Sequence, residues 1–109
     1  MKRIKVFVMD VDGTMTDGKI YMGSTGELFK AFDIKDGYGI HEILPGYHIK
    51  TVIMTGRTSQ IVENRAKELE IDYLLQNVKD KKKGIKELIQ EIGFILSFKD
   101  LNVLNVVVL

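Results

Sequence analysis

Cysteine and tryptophan are absent from this chain of 109 residues, and proline occurs once. Without cysteine there is no disulfide, no thiolate nucleophile and no zinc–sulfur centre. With His41 and His48 as the only histidines, a histidine metal site or a Ser-His-Asp triad is poorly supplied. Charge of one sign is lacking too. Sixteen Lys+Arg face fifteen Asp+Glu, a formal net charge of +1, so no global field draws the protein to nucleic acid or to an anionic membrane. The apolar segment behind Met1-Lys2-Arg3 is short and broken at Asp10. It fits neither a signal peptide nor a membrane span, and the cytoplasm is the expected location. Acid–base or metal chemistry must therefore lean on carboxylates.

What is present suits a folded core: 45% hydrophobic and 28% charged residues, enough for one domain over residues 1–109. Ile4 to Met9 and Ile49 to Met54 are short apolar runs rich in β-branched residues, the pattern of strands buried on both faces of a parallel sheet. Between them, Lys19 to Met22 and Glu27 to Phe32 flank Gly23-Ser24-Thr25-Gly26, which predicts a hairpin with a four-residue loop. The patterning predicts three helices. One spans about Gly37 to Leu44 and is stopped by Pro45-Gly46. One runs from a Thr58 or Ser59 cap to about Leu69, with Glu63 and Lys67 paired at i,i+4. One runs from Asp80 to a stop at Gly93, with Ile85, Leu88, Ile89 and Ile92 on one face. Tyr73 to Leu75 and Val103 to Leu109 have strand composition. This alternation predicts an α/β, Rossmann-like fold.

In such sheets ligands bind beyond the carboxyl ends of the strands. Two polar clusters sit there: Asp10 and Asp12 after the first run, and Thr55-Gly56-Arg57 after the second. Paired carboxylates repel unless a cation joins them, and their hard oxygens suit Mg²⁺. An EF-hand is excluded, because Met15 and Tyr21 stand where its glycine and glutamate are required. A solvated Asp-Gly turn is the plain alternative for the acidic pair. Thr55 has the alternative of capping the second helix, Arg57 of a surface charge, and Lys81, within Lys79-Asp80-Lys81-Lys82-Lys83, of a solvated helix start. That basic run lacks the interleaved aromatics of a nucleic-acid patch. Gly37-Tyr38-Gly39 is no dinucleotide fingerprint, since Glu42 occupies the third glycine position. His41 and His48 read as helix-face and loop residues.

Asp10-Val11-Asp12-Gly13-Thr14 after an apolar strand resembles the first motif of the haloacid dehalogenase superfamily of phosphohydrolases. The hairpin, Lys35 to Ile40 (KDGYGI), MTGRTSQIVENRAKEL and Gln76 to Lys81 (QNVKDK) resemble the capless 3-deoxy-D-manno-octulosonate 8-phosphate (KDO 8-phosphate) phosphatases of lipopolysaccharide precursor synthesis, over about residues 4 to 93. Sialic-acid phosphatases and cytidylyltransferase C-terminal domains share much of the pattern. The resemblance implies a superfamily core with a hairpin insert and no large cap. It makes Asp10 the nucleophile, Asp12 the general acid and base, and Asp10 with the Asp12 carbonyl the Mg²⁺ ligands. Thr55, Gly56 and Arg57 become phosphate and substrate contacts, and Lys81 pairs with the nucleophile. It further implies a homotetramer assembled through the hairpins.

The resemblance ends after Gly93-Phe94. The family's fourth motif, Gly-Asp-Asp-x-x-Asp, supplies a third metal carboxylate. In its place stands Phe94 to Leu109, with Lys99-Asp100-Leu101-Asn102 as a faint echo. The pattern predicts a C-terminally truncated or frame-shifted member with weakened metal binding. The alternative reading is a catalytically impaired oligomeric scaffold or phosphate-binding protein. A phosphomutase, or a regulatory domain appended to a cytidylyltransferase, shares the motifs.

Overall fold

The computed structural model describes residues 3–95, 101–102 and 105–109. Its sheet is wholly parallel, with strands β1 (Val6–Met9), β4 (Lys50–Met54), β5 (Tyr73–Leu75) and β6 (Val106–Val108) in the order β5-β4-β1-β6. Alternation along β1 explains why helices cover both faces. Val6 and Val8 join Val52, Met54, Leu88 and Ile92 on one side. Met9, with Val11, Met15, Ile40, Ile53, Val62, Ala66 and Leu69, forms the core on the other. Each of the Val, Leu, Ile and Met side chains among these contributes roughly 1.5–3 kcal/mol when taken from water. The observed architecture is the expected α/β, Rossmann-like core.

β6 is held beside β1 by buried Asn105. The Asn105 carbonyl accepts from the Lys5 amide (2.9 Å), and its side-chain amide donates to the Arg3 carbonyl (2.8 Å). The strand expected from Val103 is observed over Val106–Val108; residues 103–104 lie outside the described residues, as do Lys99 and Asp100.

The hairpin of β2 (Tyr21–Gly23) and β3 (Gly26–Phe29) differs from expectation in its turn. Gly23 and Gly26 pair in the ladder, leaving a two-residue loop, Ser24-Thr25, rather than four residues. Gly26 has φ +130°, a conformation open to glycine and closed to most side chains.

The first helix starts earlier and runs further than expected. Asp33 caps α1 (Ile34–Tyr38) by accepting from the Lys35 amide at 2.7 Å; a π-helical turn (Gly39–Ile43) and a 3₁₀ turn (Leu44–Tyr47) follow directly. Pro45 does not stop it. It sits in the first turn of the 3₁₀ segment, where a missing N–H costs nothing. The reversal comes at His48, which is left-handed at φ 58°. Gly37 lets α1 pack closely on Arg65 and Leu69; a Cβ there would stand 2.6 Å from an Arg65 Nη and 3.3 Å from Leu69, so the Arg65 side chain would have to shift.

α2 (Gln60–Glu68) begins at Ser59, whose hydroxyl accepts from the Val62 amide, and carries the expected Glu63–Lys67 pair at 3.6 Å. α3 (Lys81–Ile95) buries Leu88 and Ile92 and passes through Gly93. One glycine costs about 1 kcal/mol in a helix, less than the burial of Ile92 returns. Among the described residues no helix is long and apolar enough to cross a membrane.

Candidate active site

β1 ends at Met9, and the chain turns at once. The Val11 carbonyl accepts from the amides of Thr14, Met15 and Thr16 (2.9–3.2 Å), while Thr16 Oγ1 accepts from those of Gly13 and Gly18 (3.2 Å each). Gly13 sits at φ +87°, so the turn needs glycine there. Val11 is driven into the core at 1% exposure, with partly buried Asp10 and Asp12 on either side of it. The loop thus carries Asp10 and Asp12 just beyond the end of β1, on either side of a buried Val11.

Continuing the β1–β4 register by one residue sets Asp10 abreast of Met54, just short of Thr55. Buried Thr55 is not a helix cap, a role Ser59 fills. Its amide donates to the Leu75 carbonyl (2.9 Å), and its carbonyl accepts from the Val78 amide (3.0 Å). These bonds tie the ends of β4 and β5 together and aim the following turn. Packing does not itself demand glycine at 56, where a Cβ would lie 3.5 Å from the Val78 carbonyl.

Two cations from these loops meet the acidic pair. Lys81, first residue of α3, places Nζ 2.9 Å from Asp10 Oδ1. Arg57 places a guanidinium nitrogen 3.9 Å from Asp12 Oδ2 and is half exposed. Lys81 is thereby distinguished from its neighbours in the basic run. Asp80 has a different task, its carboxylate accepting from the Lys83 amide (3.1 Å) at the helix start.

Sequence reasoning missed a third cation. Lys30, just beyond β3, is 3% exposed, and its Nζ donates to Asp12 Oδ1 (2.8 Å) and to Glu27 Oε2 (3.0 Å). Burial pushes its pKa down, but the hydrogen bonds to Asp12 and Glu27 outweigh this, and the ammonium titrates above the ordinary lysine value. The available signal was a lone lysine inside the apolar stretch Leu28-Phe29-Lys30-Ala31-Phe32, with Glu27 three residues before it. Two sets of contacts result: Asp10 with Lys81, and Asp12 with Arg57 and with Lys30, which also meets Glu27.

Among the described residues, no three acidic or histidine side chains converge as a metal cage. The oxygen-only donor set of Asp10 and Asp12 nevertheless fits Mg²⁺, which needs only one or two carboxylates beside water and substrate phosphate. A cavity of about 500 Å³ lies at the other end of the sheet, lined in part by Lys5, Lys50 and Asp72, and takes no part in this site.

The chain is similar to known proteins. The KDO 8-phosphate phosphatase of Yersinia pestis is 44% identical over 86 residues, covering 79% of this chain and 46% of its own length. That of Escherichia coli is 40% identical over 92 residues, covering 84% and 48%. The crystal structure of the Moraxella catarrhalis enzyme, in complex with magnesium ion, phosphate ion and KDO, superposes with a TM-score of 0.84 at 36% identity, over 96% of this chain and 56% of that one. The chain belongs to the KDO 8-phosphate phosphatase family of the haloacid dehalogenase superfamily. It spans about half the length of the family members it matches. No family model matches it.

Proposed function

We propose that the chain is a Mg²⁺-dependent phosphomonoesterase acting on KDO 8-phosphate or a similar sugar phosphate through an aspartyl phosphate on Asp10. The observation that carries this reading is the 2.9 Å contact between Lys81 and Asp10, made across the strand ends beside Arg57 and Asp12. Magnesium and KDO in the Moraxella catarrhalis structure support the cofactor and the substrate class. The naming of the relatives as phosphatases does not favour a non-catalytic scaffold.

Asp10 attacks phosphorus as the sugar–oxygen bond to phosphorus breaks, and Asp12 gives its proton to the leaving oxygen. Water then attacks the aspartyl phosphate, its proton passing to Asp12, and phosphate leaves with Asp10 restored. Lys81 holds Asp10 in line and offsets charge on the transferring group. Thr55, with the backbone at Gly56, donates to the phosphoryl oxygens, and Arg57 grips a substrate carboxylate or phosphate oxygen. The Asp10 carboxylate and the Asp12 carbonyl would hold Mg²⁺, which would offset the charge of the phosphate dianion.

The reaction is assigned to a single domain, residues 1–109, in the cytoplasm. Assembly through the hairpins into a homotetramer is supported by exposed Met22, Leu28 and Phe29 on β2 and β3. Incubating the purified chain with Mg²⁺ and KDO 8-phosphate tests the function. Phosphate release by wild type and none by Asp10→Asn supports it; equal release by both overturns it.

A further inference from the structure

We infer that Lys30 is a positioning residue that pins Asp12 Oδ1 from the hairpin and so assigns proton transfer to the other oxygen, Oδ2. The inference rests on the phosphatase reading above. A lysine with 3% of its side chain exposed gives up most of its hydration, which only close carboxylate partners offset. Lys30 has two, Asp12 at 2.8 Å and Glu27 at 3.0 Å. Glu27 is itself largely buried and lies on β3, three residues before Lys30, so the pair is preset by the hairpin's own backbone. Asp12 sits on a different element, 18 positions earlier in the chain. The contact therefore joins the hairpin to the loop after β1.

Its consequence is geometric. A short aspartate side chain anchored at Oδ1 is no longer free to turn about its terminal bond. Oδ2 lies on the side of Arg57, 3.9 Å away, where a substrate oxygen gripped by that guanidinium would lie. As the bond between phosphorus and the sugar oxygen breaks and that between phosphorus and Asp10 forms, the proton on Oδ2 passes to the leaving oxygen. The attacking water later returns a proton to the same atom. Glu27 keeps Lys30 in place through its 3.0 Å contact from β3.

Leaving-group dependence separates this role from a merely structural one. An alkyl sugar oxygen leaves poorly unless protonated, whereas p-nitrophenolate leaves readily without help. General acid catalysis contributes on the order of 10²–10⁴ in rate, and a misplaced acid forfeits part of it. Wild type, Lys30→Met, Glu27→Gln and Asp12→Asn are assayed for kcat and KM on KDO 8-phosphate and on p-nitrophenyl phosphate, with thermal melting as a fold control. Lys30→Met is expected to lose at least about tenfold more kcat on the sugar phosphate than on the aryl phosphate, with KM little changed. Glu27→Gln loses less, in the same direction, and Lys30→Met in the Asp12→Asn background adds no further selective loss. Equal losses on both substrates, or a selective loss that persists without Asp12, overturn the inference. If Lys30→Met does not fold, Lys30→Arg, which keeps the cation and lengthens the reach, must show the same selectivity. A wild type that hydrolyses neither substrate overturns the phosphatase reading, and the inference with it.

Discussion

Lys81 Nζ stands 2.9 Å from Asp10 Oδ1, although the two lie 71 positions apart in the chain. The ion pair joins the start of α3 to the end of β1 and is the point where the site's electrostatics are set. Both partners are partly open to water, so the pair contributes little to stability. On the phosphatase reading proposed above, its importance lies in the direction it gives Asp10 and in the positive charge it keeps beside the transferring phosphate.

Removing that charge should separate catalysis from folding. Lys81→Ala is expected to lower kcat by on the order of 10²–10³, the cost of deleting one preorganised electrostatic group. Its melting temperature should stay near that of the wild type. Steady-state kinetics beside a thermal melt checks both halves. A large fall in melting temperature with kcat intact would reverse the assignment.

Stability should be most sensitive at the α3 face of the sheet. Ile92 is fully buried among Val6, Val8, Val52, Met54 and Leu88. Ile92→Ala removes its packing and leaves a cavity, which costs about 2–5 kcal/mol. Urea denaturation should show the midpoint fall accordingly.

His41 supplies the pH prediction. Its Nδ1 lies 2.7 Å from Glu42 Oε1 and its Nε2 3.5 Å from Glu70. The Glu42 hydrogen bond, partly opposed by burial and helped by Glu70, raises its pKa above the ordinary 6.5. A raised folded-state pKa means the protonated pair stabilises the fold fully below the unfolded pKa, and that stabilisation is lost as pH rises through the folded one. Histidine NMR titration should show Glu42→Gln bringing the His41 midpoint down, with the wild type losing its advantage over the variant as pH climbs past that midpoint.

Metal dependence follows from the sparse donor set. Asp10 and Asp12 offer few protein oxygens, and Mg²⁺ so held binds weakly unless substrate phosphate completes the shell. Calorimetry should register weak Mg²⁺ binding alone and tighter binding with inorganic phosphate present, and a chelator should stop phosphate release. Tight binding without phosphate would contradict the donor set.

Much of this architecture was legible in the sequence, for physical reasons that can be named. Strands buried on both faces read as unbroken apolar runs, so β1 and β4 were found to within two residues, and the acidic and Thr-Gly-Arg clusters followed from where those runs stop. Local punctuation misled where tertiary packing overruled it. Pro45 and Gly93 looked like stops, yet one occupies a turn that needs no N–H and the other is carried through by the burial of Ile92. The hairpin loop shrank because Gly23 and Gly26 can join the ladder. Lys30 stayed invisible because its meaning is a contact 18 residues away, which no local periodicity encodes.

The account stands on Asp10 as the phosphate acceptor. Its most direct test is to quench the Mg²⁺-loaded chain in acid during turnover of KDO 8-phosphate, reduce it with borohydride and map it by peptide mass spectrometry. The account predicts that Asp10 alone among the carboxylates becomes homoserine, as an acyl phosphate does on reduction. An unmodified Asp10 in a chain that is releasing phosphate would contradict it.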